Sequence, residues 1–149
     1  MTPVTIRAAT RADMPAISQV RTSVTENAMS VEQLLERGIT PETVSDLIQN
    51  DGAWVAEVNG RVVAFSMAKR AEGTIFAMFV QPGWEERGLG RQLMAQAERY
   101  LFAFHDRIWL TTDVDPAVRA HGFYRGLGWR PAGLMDNGEL RYEKERLAP

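Results

Sequence analysis

The stretch GWEERGLGRQLM, residues 83–94, sets Gly88 and Gly90 one residue apart, with Arg87 and Arg91 beside them and a helix-like run behind. The start of a helix presents backbone N–H groups that have no partner within the helix, together with the positive end of its dipole, so it attracts anions. Glycine removes the Cβ that would hold a phosphate away, and a pyrophosphate could be cradled there. The same two glycines also suit a plain strand-to-helix corner, and the spacing alone does not choose between these readings. The chain contains no Gly-Lys-Ser/Thr of the P-loop kind and no three-glycine dinucleotide fingerprint.

The elements that must position this loop are legible on either side. Gly73 precedes TIFAMFV, a short, mostly apolar run with β-branched and aromatic residues, which predicts a central strand buried on both faces. After the loop, Leu89, Leu93, Ala97, Tyr100 and Phe104 share one side of a helix ending near His105. Upstream, VTIRAAT alternates as a half-buried strand, and Thr10 with Asp13 resembles a capping box before a helix whose face carries Met14, Ile17, Val20 and Val24. Ser30 and Gln33 repeat that capping signature for a short helix stopped by Gly38, and Thr40-Pro41 opens a third helix running to about Asn50. AWVAEV and RVVAFSMAK flank Asn59-Gly60, the signature of a two-residue hairpin. Downstream come the strand IWLTT, a shorter helix in PAVRAHGFYRGLG, and a last strand pair from Trp129 that turns at Asn137-Gly138. These elements predict a single domain over residues 1–149 of mixed α/β (α+β) class, with a largely antiparallel sheet of about six or seven strands and helices on both faces.

Composition narrows the chemistry. A formal charge of −2 gives no basic field for nucleic acid, which is not an expected partner. With no cysteine there can be no thiolate nucleophile or cysteine metal site, and the two histidines sit in no ligand-spaced cluster, so no metal is expected. No stretch approaches the roughly 20 apolar residues of a membrane span, nor does the N-terminus carry a signal-type core, which makes the cytoplasm the expected compartment.

IFAMFVQPGWEERGLGRQLMAQAERYL and the later AHGFYRGLGWRPAG resemble the acetyl-CoA-binding core of the GNAT superfamily of N-acyltransferases, over roughly residues 53 to 143. The family's loop pattern is Gln/Arg-x-x-Gly-x-Gly/Ala, against Glu85-Glu86-Arg87-Gly88-Leu89-Gly90 here. Both glycines match and Glu85 departs; a second departure is Ala117, where the family often places Asn seven residues before its tyrosine. The resemblance implies that amides from Arg87 through Gly88, Leu89, Gly90 and Arg91 to Gln92 hold the coenzyme's phosphates. It further implies that backbone groups of Met78, Phe79 and Val80 bond the pantetheine arm, with Arg119 a candidate for the adenosine 3′-phosphate.

Acyl transfer from a thioester to an amine needs a deprotonated amine, a polarised carbonyl and a proton for the departing thiolate. A phenol with a reference pKa near 10 holds its proton at neutral pH and can release it to a thiolate in reach. Tyr124 occupies the position of the family's general acid. Candidates for the base are Glu26, Glu72, Asp113, Asp115 and His121, none of which stands out. Residues 22–51 are the least family-like part and carry Glu26, Glu32, Glu36, Glu42 and Asp46 against Arg37, a balance that could draw in a cationic amine, with Met29, Leu34, Leu35 and Trp54 as a conceivable apolar wall. The resemblance implies an N-acetyltransferase moving acetyl from acetyl-CoA to a small-molecule or peptide primary amine by direct attack. The alternatives are a non-catalytic acyl-CoA-binding module and an enzyme for longer acyl chains with extra room near Phe79 and Phe123. Exposed sheet edges make a homodimer a reasonable expectation.

Overall fold

Caps and turns divide the chain much as its spacing predicts. The computed structural model describes residues 4–23, 40–84, 87–112, 120–136 and 138–146. Strand β1 (Thr5–Ala8) leads to Thr10, whose N–H donates to the Asp13 carboxylate at 2.7 Å. A 3-10 turn at Arg11–Asp13 then opens α1 (Met14–Ser23). Helix α2 (Pro41–Gln49) starts on Thr40, whose hydroxyl accepts from the Thr43 N–H at 3.1 Å, with Pro41 in the first turn where no N–H is needed. β2 (Ala53–Val58) and β3 (Arg61–Lys69) are joined through Asn59 and Gly60 at φ 52° and 77°, the left-handed pair that a tight hairpin demands. β4 (Thr74–Val80), α3 (Leu89–Phe102), β5 (Arg107–Thr112), α4 (Ala120–Gly126), β6 (Arg130–Leu134) and β7 (Leu140–Glu145) complete the order. The predicted short helix after Ser30 and the Val24 position lie outside the described residues.

Among the described residues seven strands form one sheet in the order β1-β2-β3-β4-β5-β7-β6, antiparallel throughout except where β4 runs parallel to β5. One face is covered by α3 and α4, through Leu89, Leu93, Met94, Ala97 and Leu101 packed over Trp54, Val63, Ile108 and Tyr142. The other is covered by α1 and α2, through Ile17, Val20, Val44 and Leu47 over Val55, Phe65 and Met67. Because both faces are covered, β2 and the interior of β3 are buried almost continuously and do not alternate with polar residues. Leu93 has no exposed surface, and its truncation to alanine is expected to cost ~2–5 kcal/mol.

β4 departs from expectation. It is central, but only its first half is buried; Met78, Phe79 and Val80 are half-exposed. The cause lies in its neighbour: β4 pairs along its length with β3, yet its register with β5 consists of Thr74 opposite Trp109 alone. The helix after the loop is also shorter than its periodicity suggests, ending at Phe102, with the chain turning through Phe104 and His105.

Candidate active site

The opening between β4 and β5 has a firmly tied apex. The Thr74 hydroxyl donates to the Trp109 carbonyl at 2.8 Å, the Trp109 N–H to the Gly73 carbonyl at 3.1 Å, and the Trp109 indole N–H to the Glu72 carbonyl at 3.0 Å. Beyond this apex the strands part, and the β5-facing edge of Met78, Phe79 and Val80 joins no strand ladder among the described residues. Such an edge can hydrogen-bond an extended ligand as a neighbouring strand would. Side chains alternate from it: Met78 and Val80 pack toward α3, whereas Phe79 lies on the α1 side, its ring 5.7 Å from that of Phe65. Arg21, only 4% exposed in the last turn of α1, places its guanidinium 4.1 Å above the Phe79 ring.

At the mouth of the opening β4 gives way to α3, and its two glycines are needed for different reasons. Gly88 is the N-cap at φ 80°, a left-handed conformation that any side chain would strain, and among the described residues a Cβ there would meet only Gln92 Nε2 at 4.0 Å. Gly90 has ordinary backbone geometry, but a Cβ on it would lie 3.3 Å from Phe123 Cζ and 3.6 Å from Met78 Cε. The missing Cβ at Gly90 therefore makes room for Phe123, bringing α4 against the first turn of α3. The first internal bond of α3 runs from the Gln92 N–H to the Gly88 carbonyl at 3.1 Å, and among the described residues no side chain caps the helix, which leaves the amides ahead of Gln92 suited to an anion. Arg87 and Arg91 are exposed beside them, with the Arg87 guanidinium 4.9 Å over the Trp84 ring.

Tyr124 projects from α4 into an aromatic nest, its ring centroid 5.6 Å from Phe123, 5.6 Å from Tyr142 and 6.4 Å from Trp129. Burial, reinforced by Tyr142, pushes its phenol from 10.0 up to about 12, so it holds its proton throughout the neutral range. The strand edge and the start of α3 thus meet at the opening, and α4, which carries Tyr124, reaches the first turn of α3 through Phe123 against Gly90.

Several expected contributors fall elsewhere. Trp54 does not line an acceptor wall: it is buried in the core under α3, its ring 5.3 Å from Tyr100. Glu42 and Asp46 are exposed on α2, and Glu72 is exposed in the turn before β4, at the closed end of the opening. Arg119, Glu85, Ala117, Glu26, Glu32, Glu36, Arg37, Asp113, Asp115, Met29, Leu34 and Leu35 lie outside the described residues, as does the His121 side chain. Among the described residues no cluster of metal-binding side chains occurs, and no helix is long and apolar enough to cross a membrane. The apex residues Thr74 and Trp109 and the buried Arg21 were missed from sequence. Thr74 had only its place after Gly73 to mark it, and Arg21 looks like any polar residue on an amphipathic helix.

The family model described as "Acetyltransferase (GNAT) family" matches residues 22–129, well over half of the chain. The chain belongs to the GNAT acetyltransferase family. Solved structures share the fold. The PaiA N-acetyltransferase of Thermoplasma acidophilum, in complex with coenzyme A, is 15% identical, with 97% of this chain and 99% of that one covered at a TM-score of 0.77. The Salmonella typhimurium protein yncA with its cofactor acetyl-CoA is 17% identical, covering 99% and 98% at a TM-score of 0.75. A ribosomal-protein-alanine N-acetyltransferase of Brucella melitensis is 21% identical, covering 95% and 99% at 0.73. In this GNAT chain the strand pair that splays, the glycine loop and the tyrosine helix are assembled in one region, and the family supports an acyltransferase.

Proposed function

We propose that this GNAT chain is an N-acetyltransferase that moves an acetyl group from acetyl-CoA to a primary amine by direct attack in a ternary complex. The observation that carries the reading is the uncapped start of α3 at the mouth of the β4/β5 opening. The residues present fit the co-substrate: the missing Cβ of Gly88, amides of Leu89, Gly90 and Arg91 ahead of the first internal bond, and flanking Arg87 and Arg91 suit a diphosphate. The edge of Met78, Phe79 and Val80, which joins no strand ladder with β5 among the described residues, suits an amide-containing arm. Acetyl-CoA would supply an activated acetyl group and a thiolate leaving group. Tyr124 would hold, at its Oη, the proton that the thiolate takes up, and the β4 edge would orient the arm so that little of the barrier is spent on alignment. With no cysteine in the chain, a cysteine-borne acyl-enzyme is not available.

One observation favours the second reading, a non-catalytic acyl-CoA-binding module. A phenol at about 12 is a weaker acid than a thiol near 8.5, so donation to the thiolate runs uphill unless the bound ligand lowers that gap. Calorimetric titration with acetyl-CoA, followed by thiol release against a panel of amines, separates the readings. Binding with turnover supports the enzyme; tight binding with no amine acetylated supports the module; absence of binding defeats both.

A further inference from the structure

Helix α4 has only seven residues, too few to hold a shape by its own hydrogen bonds, so its ends must be fixed from outside. Its outer end is fixed by polar side chains from two other elements. Lys144 of β7 donates from Nζ to the Leu127 carbonyl at 2.7 Å, just past the helix, and to Glu98 Oε1 of α3 at 2.7 Å. The other oxygen of Glu98 accepts the Trp129 indole N–H at 3.2 Å. Trp129 in turn returns to the helix, its backbone N–H on the Tyr124 carbonyl at 3.0 Å, an acceptor shared with the Leu127 N–H at 3.0 Å. Lys144 and Glu98 side chains are 19% and 14% exposed, so the clamp is largely removed from water.

The geometry points to Glu98 and Lys144 as positioning residues that set Tyr124 relative to α3. Glu98 lies ten residues along α3 from Gly88, about 15 Å of rigid helix. Its carboxylate therefore refers the position of α4 to the helix whose first turn is proposed to hold the diphosphate. Phe123 against Gly90 fixes the middle of α4, and Lys144 on Leu127 fixes its C-terminal end. A half-buried ion pair is seldom worth more to stability than an apolar pair of the same volume, whereas its bonds are directional. Directionality is what alignment of a proton donor requires. The inference rests on the reading of Tyr124 as that donor.

The test follows thiol release from acetyl-CoA, with the fastest amine of a panel and separately with water as acceptor, in Lys144→Met, Glu98→Leu and the pair. Each single variant strands a half-buried charge and lowers Tm; the pair recovers it. In the pair kcat stays reduced about 10- to 100-fold while the acetyl-CoA KM remains within about twofold of wild type. Tyr124→Phe costs less rate in that background than in the intact chain, because an already misaligned phenol has less to lose. Recovery of kcat along with Tm, or independent effects of the clamp and Tyr124→Phe, overturns the proposal. Should the pair not fold, Glu98→Gln serves, since an amide has one acceptor oxygen in place of the two that Lys144 and the Trp129 indole each use; a wild-type kcat there overturns it equally. A Tyr124→Phe single variant turning over at the wild-type rate removes the donor reading itself, and the clamp with it.

Discussion

Burial of the Tyr124 phenol has two consequences that can be measured apart. In its proposed role as proton donor, its loss in Tyr124→Phe is expected to lower kcat ~100-fold or more with little change in acetyl-CoA affinity, read by steady-state kinetics and calorimetry. For stability, its pKa is raised from 10.0 to about 12 in the folded chain, so the neutral phenol contributes fully below pH 10 and that contribution is lost as pH rises through 12. The loss amounts to roughly 2–3 kcal/mol over that window, and urea titrations at pH 9 and pH 12 should show a smaller decline in Tyr124→Phe than in wild type. The glycines make a second pair of expectations. Gly88→Ala forces φ 80° on a side chain, costing ~1–2 kcal/mol and weakening coenzyme binding. Gly90→Ala crowds Phe123, and Phe123→Leu should restore its Tm and coenzyme affinity; no restoration would mean that the space serves something other than Phe123. Gly88, Gly90 and Tyr124 could be singled out from sequence because each sits in a short linear pattern. Glu98 and Lys144 could not, being 46 residues apart on a helix and a strand that meet only after folding.

Elements were legible where local chemistry defines them. Thr40-Pro41 caps α2 and Asn59-Gly60 turns the hairpin just as their residue types require. The half-exposure of β4 was not legible, because an apolar run reads the same whether its neighbour follows it or diverges, and the divergence is set by β5 and the apex. That apex supplies a third prediction. Thr74→Val keeps the shape but removes the buried hydroxyl that reaches the Trp109 carbonyl, leaving a part-buried acceptor short of a partner at a cost of ~1–2 kcal/mol. The expected outcome is a lower Tm and weaker acetyl-CoA binding by calorimetry, with Thr74→Ser close to wild type in both. Equal behaviour of Val and Ser would show that the hydroxyl does not set the opening.

Across the whole molecule, acid sensitivity should trace to Arg7, which joins β1 to the start of α1 and to β2. Its guanidinium donates to both Asp13 oxygens at 2.8 and 2.9 Å and from Nε to Glu57 at 2.8 Å. The bonds from Arg7, opposed by burial, hold the Asp13 carboxyl down from 3.8 to about 2. A depressed carboxylate contributes its stability above pH 3.8 and loses it as pH falls through 2, here about 2 kcal/mol. Asp13→Asn should be less stable than wild type at pH 6 and nearly level with it at pH 2, as urea midpoints would show. The single register pair between β4 and β5 bears on how the chain assembles. Strands β1 to β4 form one group, and β5, β7 and β6 another; β2–β3, β3–β4 and β6–β7 pair neighbours in sequence, whereas β1–β2 and β5–β7 pair across longer stretches of chain. Contacts between near neighbours form early, so the two halves are expected to mature separately and meet late along their narrow seam. A ligand that binds only once the halves have joined should prolong the life of the native state while leaving the speed of folding almost untouched.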